Sequence, residues 1–93
     1  MSAVKTPNRQ ILDPLRLVAE DVNGTQRLNL EIDGHTLTKA AALTVAEAME
    51  LPMNSPWALR DEATARMLVD DEPLGSQVDQ DSRLTVVPKS HLG

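Results

Sequence analysis

The sequence predicts an α+β domain, a roll in which one sheet packs on one main helix. Three observations carry that expectation. Leu28, Leu30 and Ile32 alternate with Asn29, Glu31 and Asp33 directly after a turn signal at Asn23-Gly24. Residues 36–51 switch to a helical period without Gly or Pro inside. Arg83-Leu84-Thr85-Val86-Val87 then reads as a closing strand stopped at Pro88, because proline has no N–H to donate to a ladder.

The elements follow in order. Residues 1–13, with Pro7 and no periodicity, read as a flexible N-terminal extension. Leu15–Glu20 reads as the first strand, and Asn23-Gly24 as a two-residue hairpin turn into the second. Asp33-Gly34 ends that strand. In the helix, Ala41, Val45, Ala48 and Met49 form the expected buried stripe, with Thr36 as N-cap, Pro52 as stop and Leu43 towards water. Trp57–Arg60 suits a strand, with Trp57 at least half buried. Met67-Leu68-Val69 suits a short strand, Asp70-Asp71-Glu72-Pro73 a turn, and Leu74 and Val78 the anchors of an irregular loop or single helical turn. The division expected is an extension at 1–13, a domain at 14–88 and a flexible tail at 89–93.

Composition removes several function classes. The chain has 93 residues, enough for one small domain with little room for a deep pocket beside its core. It has no cysteine, which excludes disulfides, thiolate metal sites and thiol nucleophiles of its own. A single aromatic residue argues against base-stacking platforms, and a net charge of −5 argues against a phosphate-backbone binder, so no nucleic-acid partner is expected. No stretch has the length of a signal-peptide core or a membrane span, so a cytoplasmic protein with no membrane partner is expected. His35 and His91 are the only imidazoles and form no metal-ligand spacing. The runs Asp70-Asp71-Glu72 and Asp79-Gln80-Asp81 lack a calcium-loop pattern and read as solvated turns. Neither catalytic residues nor a metal or cofactor are expected, and the chain reads as a non-enzyme.

Three stretches resemble the ubiquitin-like β-grasp superfamily. They are Asn23-Gly24-Thr25 leading into Leu28-Asn29-Leu30, the helix of residues 36–51, and Met67 to Leu74 continuing through Val78 to Leu84. The likeness spans roughly residues 15–93 and is nearest to the small bacterial YukD/EsaB-like ubiquitin-like proteins. It implies a β-grasp roll with a mixed four- to five-stranded sheet on one main helix. Those bacterial chains typically stop at the last strand, whereas this one continues as Pro88-Lys89-Ser90-His91-Leu92-Gly93. The interval from Leu84 to Gly93 is similar to that in ubiquitin, with Lys89 and His91 at basic tail positions and Leu92-Gly93 in place of Gly-Gly.

The resemblance implies a protein modifier conjugated through Gly93, with Lys89, Ser90, His91 and Leu92 read by an activating enzyme or peptidase. A terminal glycine lets the backbone approach closely in a narrow channel. The implied partners are an E1-like activating enzyme, an E2-like conjugating enzyme, a JAB-type metallopeptidase and a target protein, with the chain a monomer by itself. Strand alternation places Leu59, Leu84 and Val86 inward, and Ala58, Arg60, Thr85 and Val87 outward as a partner surface corresponding to ubiquitin's apolar patch. Leu92 departs from Gly-Gly and implies a dedicated activating enzyme. Lys5, Lys39 and Lys89 are the lysines available for self-conjugation, Lys5 the most accessible by position. Two other readings stand beside this one: a non-conjugated module of the type VII secretion YukD kind, and a β-grasp subunit of a larger enzyme.

Overall fold

A computed structural model describes residues 11–89. The chain forms strand β1 (Leu15–Asp21), strand β2 (Arg27–Ile32), helix α1 (Thr38–Ala48), strand β3 (Trp57–Asp61), strand β4 (Arg66–Met67), a 3-10 turn (Leu74–Ser76) and strand β5 (Ser82–Pro88). The sheet has five strands in the order β2-β1-β5-β3-β4. Its central pair, β1 and β5, is parallel, and the other neighbours are antiparallel. One sheet on one helix is what the alternation and the helical segment predict, and its mixed five-stranded form is what the resemblance implies.

One face of the sheet packs on α1. Leu17, Ala19, Leu59, Leu84 and Val86 form a continuous core with Ala41, Ala42, Val45, Ala46 and Met49, closed by Trp57, Leu74 and Val78. Leu28, Leu30 and Ile32 on edge strand β2 are only partly buried against it. Trp57 is buried and its indole N–H donates to the Pro52 carbonyl at 2.8 Å, so its polar end is satisfied.

Several local expectations are corrected. The helix is shorter than residues 36–51, and Thr36 does not cap it. Its N-cap is Leu37, which offers no side-chain acceptor. The first free donors go instead to main-chain carbonyls of the acidic turn: Thr38 N–H to Glu72 at 3.0 Å and Lys39 N–H to Asp70 at 3.1 Å. At the other end the helix closes before Pro52. Leu51 N–H reaches the Ala46 carbonyl at 2.9 Å and Glu50 N–H the Glu47 carbonyl at 3.0 Å, with Glu50 at φ 58°. That is a Schellman cap built on a non-glycine residue. The buried stripe is also rotated: Ala42 and Ala46 are buried and Ala48 is exposed. Alanine is compatible with either environment, so composition alone could not fix the helix's rotation.

The β1–β2 connection is wider than a two-residue hairpin, spanning residues 22–26. Gly24 does take the positive φ, 69°. Asp21 organises the loop: its carboxylate accepts from Thr25 N–H at 2.7 Å, the Thr25 hydroxyl at 2.6 Å and Gln26 N–H at 3.2 Å. These bonds, the Thr25 hydroxyl first, hold Asp21 below the usual carboxylate range despite desolvation.

The ordered body begins before residue 14. The Leu12 carbonyl accepts from Gly34 N–H at 3.0 Å, and Gly75 N–H donates to the Gly34 carbonyl at 2.7 Å. A Cβ on Gly34 would sit 2.4 Å from the Leu12 oxygen, and one on Gly75 would sit 2.8 Å from Ile11 Cγ2. The two glycines let three chain segments cross, which fastens the last part of the expected extension to the domain. β4 is shorter than the strand expected at Met67–Val69, although Leu68 N–H still donates to the Leu59 carbonyl at 2.9 Å.

Candidate conjugation tail and partner surface

The proposed conjugation residue Gly93 and the tail residues Ser90, His91 and Leu92 lie outside the described residues. Lys89, the first residue assigned to the tail, is described, and it is held. Its N–H donates to the Pro56 carbonyl at 3.0 Å, one step beyond the Trp57–Pro88 pairing that ends the β3–β5 ladder. Its ammonium forms an ion pair with the Asp70 carboxylate, the two side chains being 35% and 26% exposed. Lys89 is therefore joined to the end of the β3–β5 ladder, although the expected division assigns it to the tail.

Ala58, Arg60, Thr85 and Val87 do come together. Ala58 pairs with Val87 and Arg60 with Thr85, so all four share the face opposite α1. The expected exposure is corrected: Ala58, Thr85 and Val87 are 3%, 4% and 5% exposed, and only Arg60 is partly open.

Charge dominates the open part of this face. Glu20 on β1 accepts from Arg27 Nε at 2.8 Å across the β1–β2 ladder and from an Arg83 guanidinium nitrogen at 3.1 Å across the β1–β5 ladder. Glu62, just past β3, accepts from the Thr85 hydroxyl at 2.5 Å and from Arg60 Nε at 3.0 Å. Both carboxylates are held below their ordinary range. For Glu20 the larger cause is Arg27, followed by Arg83; for Glu62 it is Thr85, opposed by burial and aided by Arg60. Arg16 and Asp81 add a looser pair at 3.7 Å. In place of an apolar patch, the face presents arginines and carboxylates already paired with one another. A partner docking there would have to replace satisfied charge pairs, which favours a polar, charge-matched contact over a hydrophobic one.

The remaining candidates behave as turns. His35 is exposed; its N–H donates to Asp33 Oδ1 at 2.9 Å and its Nδ1 lies 2.8 Å from the same oxygen. Among the described residues no group of three metal-ligating side chains comes together, and no helix is long and apolar enough to cross a membrane.

Sequence reasoning missed two groups. Asp70 lies in an acidic run that reads as a solvated turn, and nothing local signals that it meets Lys89. Gln77 was unassigned, yet its amide donates to the Thr38 hydroxyl at 2.8 Å and the Val69 carbonyl at 3.0 Å while accepting from Val69 N–H at 2.7 Å. It ties the 3-10 turn to the start of α1.

No protein-family model and no curated protein matches the sequence. Solved structures do match. Caldiarchaeum subterraneum ubiquitin superposes with a TM-score of 0.66 at 22% identity, covering 81% of this chain and 92% of that one. The fold is the ubiquitin-like β-grasp. A chain from a structure of molecular mimicry of SUMO that promotes DNA repair gives a TM-score of 0.68 at 14% identity, covering 82% and 92%. A chain of the toluene 4-monooxygenase HD complex with 4-bromobenzoate gives 0.70 at 12% identity, covering 82% and 99%. The β-grasp domain is thus similar in shape to an archaeal ubiquitin and to chains from the SUMO-mimicry structure and the monooxygenase complex.

Proposed function

We propose that this chain is a bacterial ubiquitin-like protein modifier conjugated through Gly93. The observation that carries the reading is the end of the body. On a ubiquitin-like fold, β5 runs through the middle of the sheet to Pro88, Lys89 bonds to Pro56 at its end, and Ser90-His91-Leu92-Gly93 follows in sequence.

In this reading a Gly93 carboxylate oxygen attacks the α-phosphorus of ATP, the bond to pyrophosphate breaks, and an acyl adenylate forms on an E1-like enzyme. A thiol of that enzyme displaces AMP to give a thioester, which passes to an E2-like thiol. An amine of the target protein then displaces the thiol to form an amide. After adenylation every nucleophile belongs to a partner, which agrees with a chain that has no cysteine. A JAB-type metallopeptidase exposes the Gly93 carboxylate or cleaves the product amide. Leu92 in place of a second glycine narrows the fit to an activating enzyme that accommodates it.

The second reading is a non-conjugated module of the YukD kind or a subunit of a larger enzyme. The likeness to nearly the whole length of a chain in a monooxygenase complex favours giving it weight. One experiment separates the two. The chain, its cognate activating enzyme, ATP and a small trap amine are incubated and analysed by intact mass. The modifier reading expects a Gly93-dependent amide that disappears when Gly93 is deleted. Absence of any adenylate, thioester or amide with the wild-type chain would sink it, and unchanged cellular function after removal of residues 89–93 would support the module.

A further inference from the structure

We propose that Asp70 is a positioning residue for the tail: it clamps Lys89 and so fixes the residue to which the reactive segment is joined. The consequence for activation rests on the modifier reading; the clamp itself does not.

Three observations support it. Lys89 is gripped twice, through its N–H on the Pro56 carbonyl at 3.0 Å and through its ammonium on Asp70 Oδ2. Asp70 is itself immobilised, because its main-chain carbonyl accepts from Lys39 N–H at 3.1 Å in the first turn of α1. Its other carboxylate oxygen, Oδ1, is buried and has no hydrogen-bond partner among the described residues. The charge of Asp70 is therefore compensated by Lys89, and releasing Lys89 would leave a half-buried carboxylate uncompensated. Asp71 next door differs: it is largely exposed and pairs with Lys39 at 3.0 Å on the surface.

The geometric consequence is a fixed point of attachment: the segment after Lys89 is joined to a residue that Pro56 and Asp70 both hold. A fixed root also removes part of the ordering entropy that an enzyme channel must otherwise overcome when it seats the tail. Asp70 therefore acts on how readily the tail is captured and not on the chemical step.

The test uses the full chain. Amide hydrogen exchange at Lys89 is measured by NMR for wild type, Asp70→Asn, Asp71→Asn and the charge swap Asp70→Lys with Lys89→Asp, with Trp57 fluorescence confirming that each folds. Exchange at Lys89 is expected to accelerate about two- to fivefold in Asp70→Asn, to stay unchanged in Asp71→Asn and to return towards wild type in the swap. About 1 M salt should loosen Lys89 in wild type only weakly, because the pair is partly buried. Equal exchange in wild type and Asp70→Asn, or equal loss in Asp71→Asn, overturns the clamp. In the activation assay Asp70→Asn is expected to raise KM about two- to fivefold with kcat unchanged. An unchanged KM beside a loosened Lys89 confines Asp70 to a structural role and overturns the positioning claim. The exchange measurements need no enzyme, so a chain never activated at Gly93 refutes the modifier reading without touching the clamp.

Discussion

The two faces of the sheet obey the same alternation and are closed by opposite means. Towards α1, Leu17, Leu59, Leu84 and Val86 are almost wholly buried in an apolar core. Away from it, Ala58, Thr85 and Val87 are nearly as inaccessible, yet the accessible groups around them are Glu20, Glu62, Arg27, Arg60 and Arg83, paired across the strands. Burial on the first face excludes water from carbon, a large and non-directional effect. On the second, partly solvated ion pairs are each worth little. Low exposure of a residue therefore says nothing by itself about how much holding power it has.

Substitutions can break or sharpen that contrast. On the inner face, Leu59→Ala is expected to destabilise by about 2–5 kcal/mol, read as a lower urea midpoint by Trp57 fluorescence. On the outer face, Glu62→Gln at neutral pH is expected to cost less than about 1 kcal/mol in the same measurement. A loss at Glu62 matching that at Leu59 would erase the distinction.

Acid gives the outer face its own signature. Glu20 and Glu62 have folded-state pKa values below their ordinary ones, so the folded state holds fewer protons than the unfolded chain. Their contribution is present above the unfolded carboxylate range, near about pH 4.3, and is lost as pH falls through the lower folded values. Denaturation midpoints should therefore drop between neutral pH and about pH 3, and Glu20→Gln with Glu62→Gln should flatten that drop. An equally steep acid limb in the double variant would show that other carboxylates, Asp21 among them, carry it. The smallest effect belongs to Asp71→Asn, within about 0.5 kcal/mol of wild type, because the Lys39–Asp71 pair is exposed on both sides.

Much of the fold was legible because it is written in neighbours. The alternation at Leu28, Leu30 and Ile32, the helical segment and the inward set Leu59, Leu84 and Val86 all follow from backbone periodicity. The helix start was misread at Thr36 because the acceptors that satisfy its first donors lie in the chain near residues 70–72. The rotation of the helix is not legible because Ala42, Ala46 and Ala48 look alike in composition and only packing in the core distinguishes them. Ala58, Arg60, Thr85 and Val87 share the face that alternation gives them, but the first, third and fourth are buried, which depends on packing and not on alternation.

By itself, then, the sequence determined the element types and the inward-facing residues of the central strands. Each depends on residue type or on a period of a few positions. Tertiary structure alone decided that Gly34 and Gly75 fasten Leu12 and Ile11 to the body, that Gln77 braces the helix start, that the outer charges are paired, and that Lys89 is held by Asp70. Those contacts join residues far apart in the chain, and their partners are chosen by the packing of the sheet on the helix. Local patterns carry no record of that choice.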